Sequence, residues 1–299
     1  MPHQAIVLYR AEVPVYAAVG RAAALINRST LDTYHHRQGT QRLQKQDSAV
    51  VAGWGRMFGE HVRQHWSGTV SPSLQGSLKG FQAGHDLYAS PADSGHRQQA
   101  GVYVSQVRFN ADVKGFALGF DDNAVGDIRL DGNSAGAYWT LTGAQQWYLD
   151  TVLQYTDLHG RARSHRGVTL DLDGHMLAAS VETGYPLALG KGWVVEPQFQ
   201  LIAQKTSFET RNDGISRVSH ASQTQWTARL GGRLAGHYLA GGVALAPFVR
   251  SNLWRDVGGH DTVEFDARHP ITTAQAGTWM DIGIGLDARL NPSMSVFGT

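Results

Sequence analysis

The sequence predicts an all-β fold, an up-and-down antiparallel β-barrel of the transmembrane type preceded by an α-helical segment. Three observations predict it. Long segments alternate apolar and polar side chains with period two. Aromatic residues stand at the ends of the apolar rows, not at their centres. The connections between segments are short and long in strict turn. Period two is the repeat of a strand lying between two different environments. In "QQWYLDTVLQYTD", residues 145–157, one row is Trp147, Leu149, Thr151, Leu153 and Tyr155, and the other is Tyr148, Asp150, Val152, Gln154 and Thr156. Eight residue steps from Trp147 to Tyr155 span about 27 Å. At a tilt of about 40° that is roughly 20 Å of height, close to the apolar band of about 25 Å, flanked by aromatic girdles, that β-barrels present to a membrane.

Residues 13–27, "VPVYAAVGRAAALIN", are the best helix candidate, rich in Ala and Leu with Pro14 near the start, where a helix tolerates it. A second helical stretch is expected from Ser29 or Thr30 to about Arg37, stopping at Gly39. "TQRLQKQDS" then reads as a polar linker. From about Val50 the period changes to two and stays so. "HMLAASVETGYPLAL", "WVVEPQFQLIAQ", "QWTARLGGRL" and "WMDIGIGLDARL" carry it cleanly, and segments 50–63, 74–89, 97–110, 127–142 and 241–255 less so. Together these make ten strands, with an eleventh beginning at "MSVFGT". The short connections are "SPADSGH", "TGAQ", "LGKG", "GHYLAG" and "NPS". The long polar ones are "HVRQHWSGTVSPS", "ADVKGFALGFDDNAVGD", "LHGRARSHRGV", "ETRNDGISRVSHAS" and "RDVGGHDTVEFDARHPITTAQA". A meander whose two ends face different compartments produces such an asymmetry.

The row with aromatic ends is then the lipid face, with Trp147, Tyr155, Tyr185, Trp193 and Trp226 as its girdle. The opposite row faces a wet lumen and carries Asp150, Glu182, Glu196, Arg229, Arg233, Arg250, Asp281, Asp287 and Arg289, both signs together, so that neighbours can pair across strands. Glycines on the same row, Gly184, Gly231, Gly283 and Gly285, leave room inside. The inverted alternative, a soluble barrel or sandwich, would have to fill its interior with Leu, Ile and Trp and turn its Asp, Arg and Gln outward.

Composition narrows the function classes. Net charge is +1 over 299 residues, which gives no sign of a nucleic-acid partner. There is no cysteine, which excludes disulfides and thiolate metal sites and suits a chain that crosses an oxidising compartment before folding. No apolar run reaches about 18 residues, so no transmembrane helix is visible. The first residues do not read as a secretory signal, so Met1 is expected to lie within a longer reading frame.

"YRAEVPVYAAV" (9–19), "GWGRMFG" (53–59), "GFQAGHDLY" (80–88), "GVYVSQ" (101–106), "GAYWTLTG" (136–143), "WYLDTVLQY" (147–155), "ASVETGYPLALGKGWVVEPQFQL" (179–201), "TARLGGRL" (227–234) and "GTWMDIGIGL" (277–286) follow one another in an order that resembles the translocator domain of monomeric autotransporters, the type V secretion systems. The resemblance implies a twelve-stranded barrel in the outer membrane of a Gram-negative bacterium, with an α-helix in its pore that joins it to a passenger exported to the cell surface. On this chain it implies a passenger or linker remnant at 1–12, the pore helix and linker at 13–48 and the barrel at 49–299. The pore helix would present Val15, Tyr16, Val19, Arg21, Leu25 and Asn27. A lumen of intermediate width accommodates a helix about 10–12 Å across. The implied partners are the linked passenger, outer-membrane lipid, the barrel-assembly machinery and periplasmic chaperones. The barrel is expected to be a monomer with no nucleic acid, no cofactor and no metal. Because bacterial single-chain barrels use even strand numbers, the natural barrel is expected to continue past Thr299. In the residues given, the first and last strands should gape, or the first should pair with residues near 280–290.

Reactive constellations are sparse. His35 and His36 are adjacent and do not share a helix face. His85 and Asp86 alternate across a strand, and the second "GHD", Gly259–Asp261, falls in a long loop where solvation is expected. Glu182 and Glu196 lie on consecutive strands on one face. The resemblance implies that some relatives cut their passenger inside the pore with paired acids or an Asn of the helix, and Asn27 is present here, but a pairing of the carboxylates with Arg229 or Arg21 is favoured, since unpaired neighbours would raise each other's pKa. "NRS" at 27–29 matches a glycosylation acceptor but carries no weight in a bacterial-looking barrel. No nucleophile elbow, HExxH or phosphate loop is present. A translocator therefore leads. A diffusion porin would have no use for a helix in its lumen, and an outer-membrane hydrolase would need a reactive cluster at the outer loops.

The facing of the rows is directly testable. Leu230→Arg should impair membrane insertion, because a charge on the lipid face costs about 2–4 kcal/mol near the midplane. Arg229→Ala, one residue away, should leave insertion intact, read as heat-resistant migration on a gel. Equal behaviour of the two would reverse the assignment.

Overall fold

The computed structural model describes residues 8–38, 52–90, 95–222, 224–291 and 294–299. Residues 1–7 of the expected remnant, the linker at 39–48, the start of the first strand and parts of the turns "SPADSGH" and "NPS" lie outside them. The chain opens with α1 (Glu12–Ala17), α2 (Val19–Leu31) and α3 (Tyr34–Gln38). Then follow β1 (Gly53–His65), β2 (Ser73–Ala89), β3 (Arg97–Ala117), β4 (Phe120–Thr142), β5 (Tyr148–Ser164), β6 (Thr169–Gly184), β7 (Leu187–Gly190), β8 (Trp193–Phe208), β9 (Arg211–Asn212), β10 (Arg217–His220), β11 (Thr224–Gly236), β12 (Tyr238–Ala240), β13 (Val243–Val257), β14 (His260–Phe265), β15 (His269–Ala274), β16 (Gly277–Asn291) and β17 (Met294–Gly298).

The helical segment is divided otherwise than the sequence suggests. Ser29 and Thr30 do not cap a new helix. Their hydroxyls turn back to donate to carbonyl oxygens of the preceding turn, Ser29 to Ile26 (2.7 Å) and Thr30 to Asn27 (2.9 Å), and the helix runs on through both. It stops at Asp32, which takes a positive φ of 38° while its carboxylate accepts the Thr33 N–H at 2.8 Å. Asp32 thus separates α2 from α3.

One sheet of thirteen strands runs in the order β1-β2-β3-β4-β5-β6-β8-β11-β13-β16-β17, every ladder antiparallel, with β7 and β12 as short additions beside β8 and β13. Among the described residues no ladder joins β1 to β16 or β17. The sheet curls around α1 and α2, which lie against β3, β4 and β5. Apolar side chains of the helices and of the sheet's inner face share one core, including Val15, Val19, Ile26, Leu78, Phe109, Ile128 and Leu158.

Two of the long connections turn out to be strand. β3 and β4 pair as far as Ala117 opposite Phe120 and close through Leu118 (φ 55°) and Gly119 (φ 82°). Two successive positive φ values are what a tight hairpin with the right-handed twist of its strands requires. The alternation continues beneath the polar composition: Ala111, Val113 and Ala117 are buried while Asn110, Asp112 and Lys114 are exposed. β5 and β6 likewise pair out to Arg163 opposite Thr169. The last two long connections fold into a second sheet of four strands, ordered β15-β14-β10-β9, whose Val218, Val263, Phe265 and Ile271 join the core over the N-terminal end of the helices.

Gly132 of β4 sets how closely the helix can approach the wall. A Cβ there would lie 2.7 Å from Cγ2 of Ile26. Gly132→Val should therefore destabilise the folded protein by about 1–3 kcal/mol through overpacking. Ile26→Ala in the same chain should recover part of the loss, measured by denaturant unfolding in detergent.

Candidate functional site: a helix enclosed by a charged wall

The helix meets the inner face in three tiers. At the outer end Asp213, in the turn between β9 and β10, accepts from the Arg10 guanidinium (2.9 Å) and from the Tyr16 hydroxyl (3.1 Å). Burial would raise the Asp213 carboxyl, but the N–H groups of Ser216 and Ile215 and the Arg10 charge outweigh it and hold it below the usual carboxylate range. Tyr16 stacks on Phe265 at 6.1 Å, and the His220 imidazole lies 3.2 Å from the Tyr16 carbonyl oxygen. Burial holds His220 down at about 4, so at neutral pH its Nε2–H can donate to that carbonyl. Glu12 accepts the Ser164 hydroxyl at 2.6 Å.

In the middle tier Arg21 pairs with Asp261 (3.3 Å) and Asp256 (3.8 Å), donates to the Gln275 carbonyl oxygen and lies over the Trp66 ring. Asp261 is the aspartate of the second "GHD". It is a partner of the helix and not a solvated loop residue, because β14 folds inward over the lumen. Asn27 donates to Gln204 (2.7 Å) and accepts from Gln154 (3.0 Å), which itself accepts from the Tyr103 hydroxyl (2.7 Å).

The inner tier holds the densest charge. Glu182 receives Arg229 at 2.9 Å, the Tyr148 hydroxyl at 2.6 Å and the backbone N–H of Tyr34 at 2.9 Å. Arg229 is buried and also donates to Gln200, Gln198 and Asn252. Glu196 is held by His35 at 2.6 Å, and Asp32 by His36 (2.7 Å) and Arg56 (2.9 Å). Arg233 pairs with Asp287 at 2.5 Å and Arg250 with Asp281 at 3.3 Å. Asp150 accepts the Thr140 hydroxyl at 2.6 Å, and Arg289 lies half-buried near the end of β16.

Of the helix residues singled out in the sequence, Val15, Tyr16, Val19, Arg21, Leu25 and Asn27 are all buried. On the outer face Tyr155, Tyr185, Trp193 and Trp226 are exposed, and Trp147 is half-buried with its ring 6.1 Å from that of His96. The expected partner of Glu182 is present in Arg229, whereas Arg21 is engaged elsewhere. His35 and His36 escaped the sequence reading as structural residues. They do point to different carboxylates, as adjacent helical positions must. The glutamines of β5 and β8 were visible as members of the polar row but gave no sign that they grip the helix. Among the described residues no carboxylate hydrogen-bonds Asn27, and no cluster of three His, Cys, Asp or Glu is fit for a metal ion. No helix of the described residues is long and apolar enough to cross a membrane, which leaves open a crossing by strands.

Comparison with known proteins agrees with this architecture. The family described as autotransporter beta-domain matches residues 53–299. The BrkA autotransporter of Bordetella pertussis is 28% identical over 303 residues, covering 97% of this chain and 27% of that protein. The adhesin BmaC autotransporter of Brucella suis is 27% identical over 245 residues, covering 75% of this chain and 7% of that protein. The chain thus spans about a quarter or less of the length of these relatives. The crystal structure of the transport unit of AIDA-I from Escherichia coli superposes with a TM-score of 0.73 at 16% identity, covering 94% of this chain and 93% of that one, a likeness of fold.

The Glu182–Arg229 pair gives a quantitative test. Arg229→Met leaves a buried carboxylate without its cation and should cost about 3–5 kcal/mol. Glu182→Gln combined with Arg229→Met should cost markedly less than Arg229→Met alone. A double-mutant cycle by denaturant unfolding reads the difference.

Proposed function

The chain belongs to the autotransporter β-domain family, and from that premise we propose that it anchors in the outer membrane and exports a linked N-terminal passenger to the cell surface. The observation that carries the reading is the enclosed helix. α2 is gripped from the wall through Arg21, Asn27 and Asp32, and the chain ahead of it is held between Asp213 and the tip of the β3–β4 hairpin. A segment so embedded, leading outward, is what a translocator holds when export is complete. A diffusion porin would need that space for solutes.

In this reading residues 1–12 are the remnant of a passenger or linker, residues 13–48 are the pore helix with its linker, and residues 49–299 are the barrel. The inward charges line the pore, and Trp147, Tyr155, Tyr185, Trp193 and Trp226 meet the lipid. Insertion by the barrel-assembly machinery, with periplasmic chaperones, belongs to the same proposal. Cleavage of the passenger at Asn27 is not part of it: the Asn27 carboxamide is held by two glutamines, neither of which can act as an acid or base there.

In a planar bilayer the chain should conduct weakly, and deletion of residues 1–31 should raise the conductance several-fold. Equal conductance of the two forms would overturn the plugged-translocator reading.

A further inference from the structure

The strands β2 to β6 exchange the character of their two faces at one level. Facing outward, Ala83, Val104, Ala135, Tyr155 and Leu177 stand side by side across the ladders, and four residues further out along each strand stand Lys79, Arg108, Asp131, His159 and Asp173. Facing inward, the row of Gln82, Ser105, Ser134 and Thr156 gives way within four residues to Leu78, Phe109 and Leu130, all of them buried. Below this level the sheet is apolar outside and polar inside. Above it the sheet is polar outside and apolar inside, as a sheet packed on a core in water is.

The exchange marks the edge of the hydrocarbon. Beyond it β3 continues to Ala117. The ten residue steps from Val107 to Ala117 span about 33 Å along the strand, roughly 25 Å of height at a tilt near 40°. Opposite this tall wall the strands stop earlier, β8 at Phe208 and β13 at Val257. The outer sheet closes that side with Val218, Val263, Phe265 and Ile271, and the helix fills the middle with Val15, Tyr16, Val19 and Ile26. Beneath this cap cavities of about 20 and 30 Å³ lie beside the helix, one lined by Arg21, Arg28 and Gln225 and the other by Gln204, His220 and Gln275. Each has the room and the polar partners for a water. The upper one ends against Phe208 and Val263.

We infer that the barrier to ions and small solutes lies in this apolar storey, outside the membrane, and not where the helix runs through the polar lumen at membrane depth. An ion passes a polar lumen with its water, but in a close-packed apolar core it must shed that water without a partner. Because the helix supplies part of the core, the seal is complete only once Val15 to Ile26 have reached it, which couples closure of the pore to the end of export. The inference rests on the reading of the chain as a translocator that crosses the membrane.

The test measures the whole chain in a planar bilayer, after heat-resistant migration on a gel has shown each variant to be folded. Val263→Ser with Phe265→Ser changes only the outer sheet and should raise the conductance several-fold. Val19→Ser, on the helix, carries the test if that variant does not fold. Tyr138→Ser removes an aromatic ring from the lumen at membrane depth and should leave the conductance unchanged, with Tyr138→Val in its place if the serine variant does not fold. Outer-sheet variants that conduct no better than the wild type, or a Tyr138 variant that conducts as well as they do, overturn the placement of the barrier and leave the translocator reading standing. A wild type that does not enter the bilayer overturns the membrane reading and the barrier with it.

Discussion

A sheet that crosses hydrocarbon must satisfy every backbone N–H and C=O within itself, because lipid offers no partner and each unpaired group costs several kcal/mol. The rest of this molecule follows from that constraint. It calls for long continuous ladders, such as the one pairing Gly126 through Thr142 with Ser164 through Tyr148. It curls the sheet on itself and turns the usual order of inside and outside around, with Leu153, Leu230 and Ile284 exposed on the outer face and Arg229, Glu182 and Asp287 buried on the inner one.

An inner wall of buried charge is a liability unless it is neutralised, since an ion removed from water is stabilised only by good partners. The strands supply some of the pairing themselves, as Arg233 with Asp287 and Arg229 with Glu182. The enclosed helix supplies the rest. Arg21 answers Asp261 and Asp256, His35 answers Glu196, and Asp32 answers Arg56. Helix and wall complete one another: each would leave ionised groups buried without the other. The apolar contacts of Ile26 and Val19 with the wall add the non-directional part of the attraction.

Much of the architecture was legible in the chain because strand facing is a local property. Alternation around Tyr148 to Tyr155 names both faces without any knowledge of the partner strand. The helix was legible for the same reason, from its Ala and Leu content, but its end was not. Ser29 and Thr30 fold back on the old helix, and the carbonyls of both, with the Asp32 carboxylate, meet Arg56 of the distant β1, a partner that the local sequence does not name. The outer sheet was hidden because β10 and β14 are short, polar in composition and paired only with each other and with β9 and β15. The partner of Arg21 was hidden because it lies on β14, near the other end of the chain. One sequence shows which residues need partners and cannot show which of the many distant ones they meet.

The tip of the β3–β4 hairpin adds a last consequence. There the Leu118 N–H donates to the Tyr9 carbonyl oxygen at 2.9 Å, Tyr9 packs edge-on against Phe116, and the next residue, Arg10, is held by Asp213 across the mouth. These contacts act in series along the chain, anchored on the β3–β4 hairpin, on Asp213 of the β9–β10 turn and on Ser164 at the end of β5. A pull on the chain outside the mouth is therefore met first by Tyr9 and Arg10, then by Glu12 on Ser164 and Tyr16 on Asp213, and only afterwards by the buried pairs of α2. Force is shed stepwise into the rigid sheet, like the strain on a rope taken up by successive cleats, before it can reach the helix and draw it out.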